Sequence, residues 1–179
     1  IGTKIHLWIE AHLKKQNPKM PDAREVQIGV TAFLQRVDQN KVKFISSERV
    51  IYSKKYDYIG TLDIEAKVNG KLCLIDIKSS NAIYNTFYLQ TAAYLKADEE
   101  ESGKAYDGRW ILRLAKETEK EYNARMIEKG YDYFAAYEVF EAKFLDDDKK
   151  NIERDFRGFL AAQALFNWNK ETDPWLNKK

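Results

Sequence analysis

Two segments near the start of the chain carry apolar residues at helical spacing. Between Gly2 and Lys15, four apolar residues fall on one stripe of a helix: Ile5, Trp8, Ile9 and Leu13. Asn17-Pro18 and Met20-Pro21 then interrupt this pattern. A second apolar stripe follows Asp22 and consists of Val26, Val30, Phe33, Leu34 and Val37. The pattern therefore predicts two amphipathic helices before the first strand.

The next part of the chain has the pattern of three strands. Val42 to Tyr52 is rich in residues that favour strands, and Tyr56 to Val68 alternates between apolar and polar positions. Asn69-Gly70, a strong signal for a two-residue hairpin turn, separates this segment from Lys71 to Lys78. The last of these segments is apolar on both faces, which is typical of a central strand. The sequence therefore predicts a hairpin whose second strand lies inside a sheet.

The rest of the chain alternates between helical and strand patterns. We predict a helix over Asn85 to Glu101, strands over Arg109 to Leu114 and Tyr131 to Phe140, and a C-terminal helix over Asp146 to Asn169. This order favours an α/β fold with a mixed sheet flanked by helices over a doubly wound parallel sheet. The length of 179 residues fits a single domain over 1–179, with its core in about 1–140. Whether residues upstream of Ile1 belong to the domain stays open.

Composition narrows the classes of protein that fit. A hydrophobic fraction of 44% is typical of a globular chain, and the single cysteine, Cys73, cannot form an internal disulfide or hold an iron–sulfur cluster. No apolar run approaches the ~20 residues of a membrane-spanning helix, so we expect a cytoplasmic protein without a membrane partner. Residues 1–60 carry 11 Lys and Arg against 6 Asp and Glu, whereas residues 61–140 carry 11 against 14. This asymmetry fits a polyanionic partner beside an acidic site, and it also fits chance variation on a solvated surface.

The predicted hairpin brings two acids together. With a two-residue turn Val68 faces Lys71, and further from the turn Asp63 faces Asp76 and Thr61 faces Lys78. Directly opposed like charges destabilise a sheet, and a divalent cation such as Mg²⁺ or Mn²⁺ would compensate for them. Asp76 and Lys78 leave the same face of their strand, so the ammonium reaches the same volume. The alternative is a salt-bridged triad in which Lys78 neutralises one aspartate.

The flanking helices add side chains that suit a phosphate or a metal. His6 and Glu10 share one face of the first helix, and Gln90 and Tyr94 share one face of the helix after the hairpin. A helical histidine is more often structural than a ligand, and Gln90 and Tyr94 also suit packing against the sheet. Glu48 in the first strand points either to the site or to solvent.

Four stretches in this order resemble the motifs of the PD-(D/E)xK phosphodiesterase superfamily, in particular its RecB-like exonuclease branch. They are Gly2-Thr3-Lys4-Ile5-His6 with Glu10, Gly60-Thr61-Leu62-Asp63, Leu74-Ile75-Asp76-Ile77-Lys78-Ser79-Ser80, and Gln90-Thr91-Ala92-Ala93-Tyr94. The resemblance spans residues 1 to about 114 and implies a restriction-endonuclease-like core whose Asn-Gly hairpin carries the active site. Leu62 stands where the nominal motif has proline. Cluster-binding cysteines and helicase motifs are absent from the sequence, so the resemblance is to phage-type or stand-alone members without an iron–sulfur cluster.

The resemblance also implies roles for single residues. Asp63, Asp76 and Lys78 would be catalytic, and one or two Mg²⁺ or Mn²⁺ ions would be held by His6, Asp63, Asp76 and the backbone carbonyl of Ile77. Gln90 and Tyr94 would contact DNA near the scissile phosphate. Three further residues are possible participants: Glu10, Glu48 and Thr61.

The function expected from these residues is metal-dependent hydrolysis of DNA. We expect an exonuclease on linear DNA, with a preference for ends, in recombination, repair or phage DNA processing, where a recombination or repair protein is a possible partner. One alternative is a structure-selective endonuclease of the same superfamily. The others are a catalytically inactive DNA-binding module and a scaffold domain whose aspartates are neutralised by lysines. The oligomeric state is left open by the sequence.

Overall fold

The helices and strands follow the predicted order. A computed structural model describes residues 1–80, 82–114, 140–146 and 149–172, together with the single positions 120, 121, 124 and 128. The elements before the fourth strand are α1 (Gly2–Leu13), α2 (Arg24–Gln39), β1 (Lys43–Ser53), β2 (Tyr58–Val68), β3 (Lys71–Lys78) and α3 (Asn85–Ser102). The elements described after them are β4 (Gly108–Leu114), β5 (Phe140–Asp146) and α4 (Lys149–Thr172).

The strands form one mixed sheet in the order β1-β2-β3-β4-β5. β3 pairs with β4 in parallel, and the other neighbouring pairs are antiparallel. The parallel pair requires a crossover, and the chain between β3 and β4 contains α3. β3 therefore lies in the middle of the sheet, as its apolar faces predict. The predicted α/β fold with a mixed sheet between helices is confirmed.

Helices cover both faces of the sheet. One core cluster joins residues of α1 and α2, such as Ile5 and Phe33, to Ile75 of β3. A second cluster on the other face joins Leu74 of β3 to Leu95 of α3 and to Ile152 of α4. The sheet is thus the middle layer between two helical layers.

Asn69 and Gly70 connect β2 to β3. Both residues have positive φ angles, 50° and 87°, which suit Asn and Gly better than other residues. The turn holds Val68 opposite Lys71, and the Asn69 N–H donates to the backbone carbonyl of Asn40 at 3.1 Å. The start of the β2–β3 ladder is therefore fixed by local turn chemistry.

The C-terminal elements lie further along the chain than expected. The strand predicted over Tyr131 to Phe140 falls mostly outside the described residues, and the observed strand β5 is Phe140–Asp146. The final helix begins at Lys149 rather than Asp146 and continues to Thr172. Aromatic residues favour strands without fixing strand ends, and Asp146 still belongs to β5, so the predicted strand end at Phe140 and the predicted helix start at Asp146 are wrong. The predicted start of the strand lies outside the described residues.

A buried ion pair fastens α4 to the sheet. Arg109 of β4 is fully buried and donates to Asp155 Oδ2 of α4 at 2.7 Å. The same guanidinium donates to the Tyr88 carbonyl at 2.6 Å and to Thr91 Oγ1 at 3.2 Å, both in α3. One side chain therefore joins α3, α4 and the sheet. Among the described helices, none is long and apolar enough to cross a membrane.

Candidate active site

The end of β3 holds a buried carboxylate beside a lysine. Asp76 and Lys78 are two residues apart, so both side chains leave the face of β3 opposite to Ile77. The Asp76 side chain is 1% exposed, and Lys78 Nζ donates to its Oδ1 at 2.9 Å. Nζ lies equally close to Oδ2, at 2.9 Å, but that oxygen accepts no hydrogen bond. Both oxygens of Asp76 therefore face the ammonium of Lys78, and only Oδ1 accepts a hydrogen bond.

Asp63 lies where the pairing of β2 with β3 ends. The ladder keeps the register set by the turn as far as Ile64 and Ile75. One step further, the carboxylate of Asp63 takes the place of a backbone acceptor, because its Oδ2 accepts a hydrogen bond from the N–H of Ile77 at 2.8 Å. A side chain thus bridges the two strands after the ladder has ended.

The predicted cross-strand pairs at this end of the hairpin are therefore wrong. Asp63 and Asp76 are not a ladder pair, and neither are Thr61 and Lys78. Thr61 is exposed and pairs with Val50 of β1 instead. The two aspartates are still neighbours, since the charge of Asp63 acts on the pKa of Asp76.

β2 changes face at Asp63. Leu62 packs in the core cluster beneath α3 and α4, whereas Ile64 packs in the cluster beneath α1 and α2. In a regular strand, residues two apart share a face. The alternation is therefore interrupted at the residue between them, and Asp63 lies at the interruption.

Glu48 of β1 stands opposite this interruption. Its neighbours Ser47 and Arg49 pair with β2 on either side of Asp63, and Glu48 itself has a φ of 49°. The left-handed conformation costs roughly 1–2 kcal/mol for a residue other than glycine. Arg49 forms an ion pair with the buried Asp98, which holds the strand in place beside the strained residue. Glu48 is thus held next to Asp63 in a conformation that the strand pattern does not predict.

Burial and like charge act together on the two aspartates. Burial raises the pKa of Asp76 to about 7; the negative charge of Asp63 adds to this rise and the ammonium of Lys78 opposes it. Burial also raises the pKa of Asp63, against the effects of the Ile77 N–H, of the positive charge of Lys78 and of His6 in its protonated form. Two acids therefore share one poorly solvated volume, where added positive charge favours their ionised forms.

The first helix reaches the site through a close contact at its start. A Cβ on Gly2 would lie 2.1 Å from Ser79 Oγ, so only glycine lets α1 approach the end of β3 this closely. His6 then lies near Asp63 and Lys78, whose charges act on its pKa. Burial is the larger effect and lowers the pKa of His6, so the imidazole is neutral at pH 7.

Glu10 and Glu48 extend the acidic surface beyond the aspartates. Burial raises the pKa of Glu48, and the charges of Asp63 and Glu10 add to that rise while Lys14 opposes it. Lys14 also forms an ion pair with Glu10, one turn earlier on α1. The structure therefore places Glu48 near both Asp63 and Glu10, and Lys14 interacts with both glutamates.

Gln90 and Tyr94 form a hydrogen-bonded pair on α3. Gln90 Nε2 donates to Tyr94 Oη at 2.7 Å. A Cβ on Gly60 would lie 2.3 Å from Cε1 of Tyr94, so the ring lies directly on β2, three residues before Asp63. Tyr94 therefore packs on β2 three residues before Asp63, and the role of the pair toward DNA stays a prediction.

Two contacts of the site were not predicted. Phe87 of α3 lies with its ring centroid 5.1 Å from Lys78 Nζ, a distance that suits a cation–π contact. Nothing in the sequence pairs these two residues, because the contact depends on how α3 packs. Lys14 was signalled by its spacing of four residues from Glu10, which suits an ion pair on one helix face.

The predicted metal donors are His6, Asp63, Asp76 and the backbone carbonyl of Ile77, and metal binding by them stays a prediction. Among the residues that the structure describes, no group of three or more His, Cys, Asp or Glu side chains is placed to hold a metal ion. Both carboxylates already have partners within the protein. Asp63 accepts a hydrogen bond from the Ile77 N–H, and Asp76 accepts one from Lys78 Nζ. Two hard carboxylates remain, one with an unbonded oxygen, and this donor set suits Mg²⁺ or Mn²⁺.

Comparison with known proteins finds similarity to proteins named as exonucleases. No family model matches it. Mitochondrial genome maintenance exonuclease 1 from Mus musculus is 27% identical over 159 residues, covering 68% of this chain and 47% of that protein. The protein of the same name from Homo sapiens is 26% identical over 167 residues, covering 73% of this chain and 48% of that protein. The chain therefore spans about half the length of the curated relatives it matches.

A solved structure has a fold similar to that of this chain. The crystal structure of a candidate exonuclease from Eubacterium rectale superposes with a TM-score of 0.51 at 9% sequence identity, covering 90% of this chain and 64% of that one. The chain has an exonuclease-type fold. At this identity the match bears on the fold alone, so the roles of the site residues and the RecB-like branch stay predictions.

Proposed function

We propose that this chain is a metal-dependent deoxyribonuclease that hydrolyses phosphodiester bonds in linear DNA, starting from the ends. The observation that carries the proposal is the buried Asp76 with one unbonded carboxylate oxygen, beside Lys78 and Asp63. The exonuclease-type fold and the exonuclease names of the two mitochondrial relatives support it. DNA recombination, repair or phage DNA processing is the biological setting we propose with it.

Asp63 and Asp76 are the residues that would hold Mg²⁺ or Mn²⁺. Both offer hard oxygen donors, and both have raised pKa values because the buried volume penalises their negative charge. A bound ion supplies Lewis acidity toward a phosphate oxygen and lowers the pKa of a coordinated water. The positive charge would also relieve the repulsion between the two acids. The carbonyl of Ile77, on the strand between Asp76 and Lys78, is proposed as a further donor.

Lys78 is proposed to orient the attacking water and to offset charge on the phosphate. Its ammonium is held in place by Asp76 at 2.9 Å and by the ring of Phe87 at 5.1 Å. A fixed positive group costs little reorganisation when charge develops in the transition state. Positioned acid–base help of this kind is typically worth about 10²–10⁴ in rate.

Gln90 and Tyr94 are proposed to hold the DNA backbone near the reacting phosphate. The hydroxyl of Tyr94 accepts the hydrogen bond from Gln90, so its own proton is available to donate outward. His6 is neutral because burial lowers its pKa, so it serves as a hydrogen-bonding group near Asp63 rather than as a positive charge.

Cleavage assays with matched variants test the proposal. The purified chain should degrade linear DNA with Mn²⁺ or Mg²⁺, and EDTA should stop the reaction. Lys78→Ala should lose about 10²–10⁴ in kcat while keeping its fold and most of its DNA affinity. Lys170→Ala, which removes an exposed lysine near the end of α4, should cut at the wild-type rate. Normal cleavage by Lys78→Ala would refute the assignment of the chemistry.

Two other functions are separated by the same assay. A structure-selective endonuclease would cut covalently closed circular DNA, whereas an exonuclease leaves it intact and degrades the linearised form. A catalytically inactive DNA-binding module would bind DNA in a salt-dependent manner and release no nucleotides with any divalent metal.

A further inference from the structure

A groove beside the candidate active site has the shape and chemistry of a nucleotide site. It lies between the last turn of α1 and the first half of β1, and its volume is about 730 Å³. Pockets for ligands of nucleotide size commonly have volumes of about 300–1,000 Å³. The lining residues are His12, Leu13, Lys15, Asn17, Phe44, Ile45, Ser46 and Ser47.

Two irregularities in the backbone open this groove. β1 has a bulge at Ile45, where the register against β2 shifts between Phe44 and Ser46. A bulge bends its strand, and Ile45 is left 50% exposed on the groove wall. On the other side, Lys15 and Asn17 have positive φ angles, 59° and 47°, which turn the chain after α1. Both walls are therefore shaped by the backbone.

The lining suits a phosphate beside a base or sugar. Donors come from Lys15, Asn17 and Ser47, and apolar surface comes from Phe44 and Ile45. No carboxylate belongs to the lining, and Lys15 has no ion-pair partner among the residues that the structure describes. A cationic and polar wall next to an acidic site favours an anionic ligand.

His12 presents a fixed aromatic face in this groove. Its ring stacks on Trp8 at a centroid distance of 5.0 Å and an angle of 11°. Trp8 is held in turn because its Nε1 donates to the Lys19 carbonyl at 2.8 Å. Bases stack on such rings, and the contact is typically worth about 1–3 kcal/mol.

The groove continues directly from the carboxylates. Ser47 precedes Glu48, which lies beside Asp63, and Lys14 between Leu13 and Lys15 interacts with both Glu10 and Glu48. A strand whose phosphate lies at Asp63 and Asp76 would enter the groove with its next nucleotides. We propose that the groove binds a nucleotide of the DNA strand adjacent to the scissile phosphate, an inference that rests on the proposed function.

Two charge-changing variants with matched controls test this site. Lys15→Glu removes the groove's ammonium, and Ile45→Glu places a carboxylate on its exposed apolar wall. Lys170→Glu and Leu165→Glu make the same changes at exposed positions of α4. All four positions are solvent-exposed, so the fold should persist, which circular dichroism and melting temperature will check.

The readouts are binding and cleavage of a linear 12-nucleotide oligo(dT). Binding is measured by fluorescence anisotropy in EDTA, and cleavage by KM and kcat with Mn²⁺. Loss of one phosphate contact weakens affinity by about five- to eightfold at 0.1 M salt and lowers the salt slope by about one. We expect this change in Kd and KM for Lys15→Glu and a similar loss of affinity for Ile45→Glu. kcat should stay within about twofold of wild type in both, and the α4 controls should match wild type.

The outcomes separate the groove from the nuclease proposal. If the groove variants bind and cut like their α4 controls, the groove inference is overturned while cleavage by wild type still supports the nuclease. If wild type binds the oligonucleotide in a groove-dependent way but never cuts it, the nuclease proposal fails and the groove stands as a nucleic-acid site. Absence of both binding and cleavage overturns both.

Discussion

Replacing Asp76 with asparagine should abolish a loss of stability that the wild-type chain undergoes as the pH rises. In the folded chain burial raises the pKa of Asp76 to about 7, against a value of 3.8 for a free aspartate. Between these values the folded chain binds more protons than the unfolded chain, so the free energy of unfolding falls with increasing pH. Asparagine keeps the shape and carries no titrating proton, so the variant lacks this contribution.

The expected size follows from the pKa difference. Each pKa unit corresponds to about 1.36 kcal/mol, and about two units of the shift fall between pH 5 and pH 7. The wild-type chain should therefore lose about 2–3 kcal/mol relative to Asp76→Asn between pH 5 and pH 8. Asp76 is 1% exposed, so solvent screening takes little away from this figure. The attraction between Lys78 and Asp76 is already included in the Asp76 pKa of about 7, so it is not counted again.

Urea denaturation at pH 5, 6, 7 and 8 measures this contribution. EDTA in the buffer removes trace metal, and the quantity of interest is the wild-type free energy of unfolding minus that of Asp76→Asn. His6 and other groups that titrate in this range contribute to both chains and largely cancel. Asp38→Asn, an exposed change on α2, is the matched control for the substitution itself. A difference between wild type and Asp76→Asn that stays constant within about 0.5 kcal/mol would refute the burial argument.

Three further predictions concern metal, strain and the buried ion pair. Mn²⁺ at about 100 times its Kd should stabilise wild type by about 2.7 kcal/mol in thermal or urea unfolding, and should leave Asp76→Asn nearly unchanged. Glu48→Gly should gain up to about 1 kcal/mol without metal because it relieves the positive φ, and should lose nuclease activity, whereas Lys41→Gly, also at positive φ, should keep full activity. Arg109→Met should cost about 3–5 kcal/mol in urea unfolding because it removes the buried ion-pair partner of Asp155 Oδ2 and leaves only the exposed Arg154 on Oδ1, whereas Arg154→Met should cost less than about 1 kcal/mol; equal costs would contradict this reading.

Local rules were enough to predict the start of the hairpin and one half of the site. Asn69-Gly70 sets the register of β2 against β3, and the two-residue spacing places Asp76 and Lys78 on one face. Both inferences depend on nearest neighbours along the chain or across one turn. The α/β order was predictable for the same reason, since each element carries its own periodicity.

The geometry around Asp63 could not be predicted in this way. Leu62 and Ile64 look like successive inward residues of one strand, yet they pack on opposite faces of the sheet. The switch depends on core packing from two helical layers and on the left-handed Glu48 in the neighbouring strand. Strict alternation along a strand does not predict such a switch. The register set by the turn was therefore extended one pair too far when Asp63 was paired with Asp76.

The hydrogen bond that the Ile77 N–H donates to Asp63 gives this aspartate a structural role besides the proposed metal binding. The Asp63 carboxylate bridges β2 and β3 where their backbones separate, and this structural role does not depend on catalysis. If the proposed function holds, a relative without nuclease activity could lose Lys78, but loss of Asp63 would remove the hydrogen bond that joins β2 and β3 at the end of the hairpin. An intact aspartate at this position is therefore a poor marker of a working enzyme, and the lysine two strand positions past Asp76 is the better one.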